Sequence, residues 1–203
     1  MEDPSKLFDD FADEYYQKYF DVSLYRESLD FLIVNLESND SVLDIGCGPG
    51  NMSNYLLSQK PQLKILATDL SPRMLELANK VPGVDTMLLD CRDINSINQK
   101  FDCIICSFCI PYISSEEMKT LLRDCHDQLN ENGKLYLSFI LGESTRPEVK
   151  TSSTGESLTI TYYDETFIIE QLNEAGFEIA HQQQYTSYNQ IDADMCIVSH
   201  KRT

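Results

Sequence analysis

The residues best suited to chemistry stand together in Asp44-Ile45-Gly46-Cys47-Gly48-Pro49-Gly50, where an apolar run from Val42 leads into an acid and then a loop with glycine at every second position. Glycine has no Cβ and reaches positive φ freely, so such a loop lets backbone amides press against a bound nucleotide or amino-acid moiety. A helix starting at Asn51 would follow directly. Further polar residues fall at the ends of other apolar runs: Asp69 after Leu63 to Thr68, Asp90 after Val84 to Leu89, and Ser107 after Phe101 to Cys106. A carboxylate about twenty residues beyond a glycine loop is placed to accept hydrogen bonds from both hydroxyls of a ribose, and Asp69 meets that description. The loop departs from the dinucleotide fingerprint G-x-G-x-x-G, because position 51 is asparagine and the third glycine comes one residue early. Nicotinamide cofactors are thereby disfavoured.

The elements that must position these residues alternate. Phe8 to Leu36 predicts two helical stretches, from Phe8, Phe11, Tyr15 and Tyr19 and then Leu29, Leu32, Ile33 and Leu36 at helical spacing. The helix from Asn51 to Gln59 stops before Pro61, a second strand covers Leu63 to Asp69, and Ser71 caps a helix whose first residue is Pro72. Val84 to Leu89 and Phe101 to Cys106 read as the third and fourth strands. Ser114 with Glu117 resembles a capping box for a helix that Gly133 would end, and Lys134 to Ile140 is the fifth strand. Gly142 to Gly155 reads as an exposed loop or mobile lid. Asp164 caps a last helix stopped by Gly176, and Phe177 to Tyr185 and Asp194 to Ser199 form two closing strands able to pair antiparallel. Five alternations of strand and helix predict an α/β three-layer sandwich, an open and mostly parallel sheet with helices on both faces. In such a sheet the ligand lies outside the carboxyl ends of the strands, where strand order reverses.

At 203 residues, with 42% apolar and 24% charged residues, the chain fits one globular domain, and no apolar stretch approaches membrane-spanning length. The start Met1-Glu2-Asp3-Pro4 lacks the basic-then-apolar pattern of a secretory signal, so a cytoplasmic location is expected. A formal charge of −17 argues against nucleic-acid partners. Cys103, Cys106 and Cys109 repeat a C-x-x-C spacing, yet they lie among Ile104, Ile105, Phe108 and Ile110, which favours small buried residues in a reducing compartment over a metal or redox site. No metal is expected.

These residues resemble a known family. Asp44 to Gly50 is similar to the D-x-G-x-G-x-G motif of class I (Rossmann-like) S-adenosylmethionine-dependent methyltransferases of the small-molecule type, and the resemblance spans most of the chain. Thr68-Asp69-Leu70-Ser71 resembles the family's second motif, Asp90-Cys91 its adenine-contacting position, and Phe101 to Ser107 its fourth strand. The resemblance implies a seven-stranded sheet with its last strand antiparallel and S-adenosylmethionine as cofactor. Backbone at Gly46, Cys47 and Gly48 would hold the methionyl portion, with Asp44 near its ammonium group. Asp69 would take the ribose, Leu70 and Met74 would pack on the adenine, Asp90 would accept from its amine, and the Cys91 amide would face a ring nitrogen. Phe8-Asp9-x-x-Ala12-x-x-Tyr15 is also similar to the N-terminal segment of many such enzymes, where the tyrosine approaches the methionine end. Ser107 belongs to the same implied cofactor set. The implied organisation is N-terminal helices capping the active site at 1–40, a cofactor-binding core at 41–140, a variable loop or lid at 141–163, and a C-terminal helix with antiparallel strands at 164–203.

Methyl transfer from a sulfonium is an in-line displacement, so the protein must chiefly align donor and acceptor and exclude water. Where a base is needed, Tyr112, Tyr16 and Tyr19 are the candidates, whereas His126 lies mid-helix and far from the expected strand ends. Cys109-Ile110-Pro111-Tyr112 stands where amide- and adenine-methylating relatives carry Asn-Pro-Pro-Tyr, and the missing asparagine weakens an acceptor on nucleic acid or glutamine. The expectation is a monomeric or homodimeric methyltransferase acting on a small molecule, with oxygen, carbon, nitrogen and sulfur acceptors all open. The alternatives are a silent S-adenosylmethionine-binding protein acting through partners, and a related transferase or nicotinamide enzyme on the same architecture.

Overall fold

The computed structural model describes residues 4–151 and 157–202. Three helices come first: α1 (Pro4–Asp10), α2 (Ala12–Tyr19) and, after a short 3-10 turn at Ser23–Tyr25, α3 (Arg26–Val34). The first of the two expected helical stretches is thus broken, because Phe11 leaves helical geometry at φ −112°. Then follow β1 (Ser41–Ile45), α4 (Asn51–Gln59), β2 (Lys64–Asp69), α5 (Pro72–Ala78), β3 (Val84–Leu88) and β4 (Phe101–Ser107). The chain continues through α6 (Ser115–Gln128), β5 (Leu129–Leu141), β6 (Arg146–Thr151), β7 (Ser157–Tyr162), α7 (Glu165–Glu174), β8 (Phe177–Thr186) and β9 (Ala193–Lys201).

Seven strands form one sheet in the order β3-β2-β1-β4-β5-β9-β8, in which only β9 runs against its neighbours. Side chains alternate across the pleat and both faces are covered, which is why the strands read as nearly continuous apolar runs. Val42, Cys103 and Ile105 pack into one core with Leu29, Leu32 and Leu56, and Leu43, Ile45, Ile104 and Cys106 pack into the other with Met118, Leu121 and Ile168. The result is the three-layer α/β sandwich.

Local signals in the sequence act as their chemistry dictates. Ser71 accepts the amide of Met74 with Pro72 next to it, Ser114 and Glu117 form a reciprocal capping box, and Asp164 accepts the amide of Phe167. Two expectations are corrected. Helix α6 ends at Gln128, and Gly133 lies inside β5, just after Asn132 turns the backbone at φ 61°. The polar stretch after Gly142 is not a plain loop, because Arg146–Thr151 and Ser157–Tyr162 pair as an antiparallel ribbon. Residues 152–156 of that stretch, and residues 1–3, lie outside the described residues. Among the described residues no helix is long and apolar enough to cross a membrane.

Candidate functional site

The strand order reverses between β1 and β4, so the chain leaves the carboxyl ends of these neighbours in opposite directions and opens a cleft. Its floor is the glycine loop. Gly46, Gly48 and Gly50 have φ of 60°, 52° and 81°, and a Cβ on Gly46 would stand 3.2 Å from the Cβ of Cys109. At Gly50 a Cβ would come within 3.0 Å of the Ala78 Cα, so this glycine lets the start of α4 lie against α5.

Asp69 closes β2 beside this loop. Its Oδ2 accepts the Gly48 amide at 2.9 Å and its Oδ1 the Ser71 amide at 2.8 Å. A carboxylate offers about four lone-pair sites, so acceptor capacity remains for further hydroxyls. Burial raises the pKa of Asp69 against these amide bonds. Helix α1 covers the cleft: Asp9 Oδ1 accepts Ser71 Oγ at 2.7 Å and the Arg73 amide at 2.9 Å, which holds the Phe8 ring 4.9 Å from that of Tyr112.

At the far end, Asp90 accepts the amide and guanidinium of Arg92, and Arg92 also reaches Glu117 at 2.9 Å. Partial burial raises the Asp90 carboxyl, but its bonds to Arg92 outweigh this and hold it below the ordinary value. Leu70, Met74, Cys91 and Ser107 complete the lining together with Cys109 and Tyr112. The Cys91 thiol faces that of Cys109, and all seven cysteines are unbonded. Among the described residues no cluster of His, Cys, Asp or Glu is placed to hold a metal ion.

A second cavity of about 460 Å³ adjoins the cleft, and Tyr15, Ser107, Phe108 and Tyr112 line both. Its other walls come from Tyr19, Tyr25, the ribbon residues Lys150, Ile160 and Tyr162, and the turn after β8, including Tyr188. Phe108 has a φ of 50°, a left-handed backbone that a side chain rarely adopts, and its amide is held by the Ser138 carbonyl at 3.1 Å. Ser107 Oγ and Ser138 Oγ lie 3.0 Å apart.

The sequence-predicted residues divide three ways. Tyr15, Gly46, Gly48, Asp69, Leu70, Met74, Asp90, Cys91 and Ser107 meet in the cleft. Asp44 and Cys47 stand behind it. Asp44 is 1% exposed, its Oδ2 accepts Ser53 Oγ at 2.6 Å, its Oδ1 has no partner, and burial pushes its pKa up to about 7. The Cys47 amide is committed to the Thr68 carbonyl. Of the candidate bases, Tyr16 is misplaced: it is 37% exposed, packs on Phe20 and lines neither cavity. Tyr19 faces the second cavity and Tyr112 both. Burial pushes the Tyr112 phenol above its ordinary value, which keeps it protonated at neutral pH. His126 packs by Gly176 and Phe177, away from the site.

Sequence reasoning missed Arg92, Phe108, Tyr25, Tyr188 and Asp194. Only the turn at the end of β4 carried a local hint. Asp194 reaches the site because β9 is antiparallel, which brings the beginning of that strand to the carboxyl edge, opposite Ile140.

Residues 42–133 match a family model described as a methyltransferase domain. A putative methyltransferase, 235L, of Invertebrate iridescent virus 6 is 30% identical over 122 residues, 59% of this chain and 45% of that one. The malonyl-[acyl-carrier protein] O-methyltransferase of Priestia megaterium is 33% identical over 128 residues, 61% of this chain and 46% of that one. The chain thus spans about half the length of these curated relatives. The Burkholderia thailandensis 1,6-didemethyltoxoflavin-N1-methyltransferase, solved with 1,6-didemethyltoxoflavin and S-adenosylhomocysteine bound, shares the fold with a TM-score of 0.73 at 20% identity, over 97% of this chain and 88% of that one. Motif, sheet order and the matched residues agree: residues 42–133 are similar to a methyltransferase domain, and the chain has the fold of S-adenosylmethionine-dependent methyltransferases.

Proposed function

We propose that this chain is an enzyme that transfers the methyl group of S-adenosylmethionine to a small-molecule acceptor. The observation that carries this reading is the pair of joined cavities: a cleft at the strand-order reversal with Gly46, Gly48 and Asp69 on its walls, opening past Tyr15, Phe108 and Tyr112 into a second chamber. The cleft's chemistry suits the cofactor. Glycine backbone clears space for the methionyl tail, the carboxylate of Asp69 has acceptor sites left for ribose hydroxyls, and Leu70 and Met74 offer an apolar flank to a base ring. Asp90, already bonded to Arg92, would share its remaining acceptor capacity with an amine of that ring.

When bound, the sulfonium supplies an electrophilic methyl group. The chain's part is to align and to exclude water. Phe8 on α1 closes over the cleft, and Tyr15 and Tyr112 form the partition through which acceptor and methyl group would meet. Asp44 supports the loop from behind through Ser53.

The binding site is tested by calorimetric titration with S-adenosylmethionine and, separately, with NAD; binding of NAD alone ends this reading. Release of S-adenosylhomocysteine on a metabolite panel then separates an enzyme from a silent binder. Seven unbonded thiols support a reducing compartment, the cytoplasm, and the charge of −17 supports small molecules rather than nucleic acid as partners. A monomer or homodimer is the assembly we assign, to be read by light scattering.

A further inference from the structure

We infer that the acceptor taken by the second cavity is a small amine carrying an apolar or aromatic body, and that Asp194 is the group that anchors its nitrogen. This rests on the reading of the adjoining cleft as the cofactor site. Asp194 is 2% exposed, yet it is part of the cavity wall. Its Oδ2 accepts the Tyr25 hydroxyl at 2.7 Å. That partner is neutral. Among the described residues it forms no ion pair, whereas a buried carboxylate is costly to keep ionised without a positive partner. A ligand's ammonium group is the partner such a site lacks.

The rest of the wall agrees in sign. Asp192 is a second acid on it, and the cation there, Lys150, is already paired with Glu148 at 2.6 Å and stands 5.5 Å from the centre of the Tyr162 ring. Tyr19, Tyr25, Phe108, Tyr112 and Tyr188 present aromatic rings to the same space. Ring faces attract cations when water is excluded, and they accept a flat apolar body equally well. An anionic acceptor would face two carboxylates and gain no free cation.

The chemistry balances. An alkylammonium gives one proton to the Asp194 carboxylate and thence to water. The freed nitrogen lone pair forms the new nitrogen–carbon bond as the sulfur–methyl bond breaks, its electron pair remaining on sulfur as the neutral thioether.

Calorimetry on the full chain tests this, with S-adenosylhomocysteine added first and then benzyltrimethylammonium, its uncharged isostere neopentylbenzene, or benzoate. The ammonium should bind at least tenfold tighter than either of the others. Asp194→Asn should remove most of that preference while leaving S-adenosylhomocysteine affinity unchanged. Benzoate or the uncharged isostere binding as tightly as the ammonium, or an undiminished preference in the variant, overturns the inference while the cofactor reading stands. Should the variant fail to fold, the comparison of the three probes on the unaltered chain decides alone. Failure of S-adenosylhomocysteine to bind overturns both.

Discussion

The Gly48 amide donates to Oδ2 of Asp69 at 2.9 Å, so the loop after β1 and the acid at the end of β2 are one unit rather than two neighbouring motifs. In the proposed role the carboxylate would both receive a ligand's hydroxyls and hold the glycine loop in the shape that receives its tail. Asp69→Ala removes both functions. Loss of charge-assisted bonds to a ribose should weaken S-adenosylmethionine by roughly 2 to 4 kcal/mol, measured by calorimetry. Asp69→Asn keeps the size but turns one acceptor into a donor facing the Gly48 amide, so it should recover little. An unchanged affinity in either variant would remove Asp69 from its assigned place.

The glycines of this loop are unequal, and substitution separates them. Gly46 and Gly48 both have left-handed backbone, which costs an alanine on the order of 1 kcal/mol. A Cβ at Gly46 also meets the Cys109 Cβ and Sγ at 3.2 Å, whereas a Cβ at Gly48 meets nothing nearer than the Tyr15 ring at 3.7 Å. Gly46→Ala should therefore lower the urea midpoint clearly more than Gly48→Ala. Gly48→Ala should instead show its effect in cofactor affinity, since its Cβ would occupy space between loop and Tyr15. Equal destabilisation by the two would show that the Cys109 contact yields freely.

Much of the cleft is legible in the sequence because its parts are local. A glycine loop, a strand-final acid and a Ser-Pro helix start each announce themselves within a few residues, and the parallel sheet brings Gly46, Asp69, Asp90 and Ser107 to one edge. The second cavity is not legible in this way. Its walls come from α2, β4, the ribbon and the turn before β9, and although the antiparallel closing strands are legible, nothing near Asp194 or Tyr188 in the chain signals that these two side chains line a cavity at that edge. Tyr16 shows the converse failure. It shares the helical stretch of Tyr15 and Tyr19, but one position along a helix turns a side chain by about 100°, which puts it on the outer face against Phe20.

Among the described residues, helix α1 is tethered over the cleft by a single carboxylate. Asp9 joins it to the start of α5 through Ser71 Oγ and the Arg73 amide, and the exposed Arg73–Asp13 pair at 3.0 Å adds little. Asp9→Ala should free the two donors and loosen α1. Global stability should fall by only about 1 kcal/mol, because the sheet's cores do not involve this helix. Hydrogen exchange in residues 4–10 should nevertheless accelerate, and cofactor release should quicken. Exchange at the unaltered rate would mean that Phe8 packing alone seats the helix.

Asp44 makes stability depend on pH. It is buried with one oxygen unpartnered, and burial, then the nearby Asp69 charge, pushes its pKa up to about 7 from 3.8 against the bond from Ser53. The folded chain therefore holds the Asp44 proton more tightly than the unfolded chain does. Its contribution is complete below about pH 4, declines as pH rises towards 7, and is constant above that. Asp44→Asn stays neutral throughout, so the variant should gain on the unaltered chain as pH rises across this window, by at most about 4 kcal/mol at one proton and 1.36 kcal/mol per pK unit. Urea unfolding of both proteins between pH 4 and pH 8, without cofactor, measures the difference. Parallel stability curves would mean that Asp44 ionises at its ordinary pH inside the fold, and would require a water or a cation beside the unpartnered oxygen.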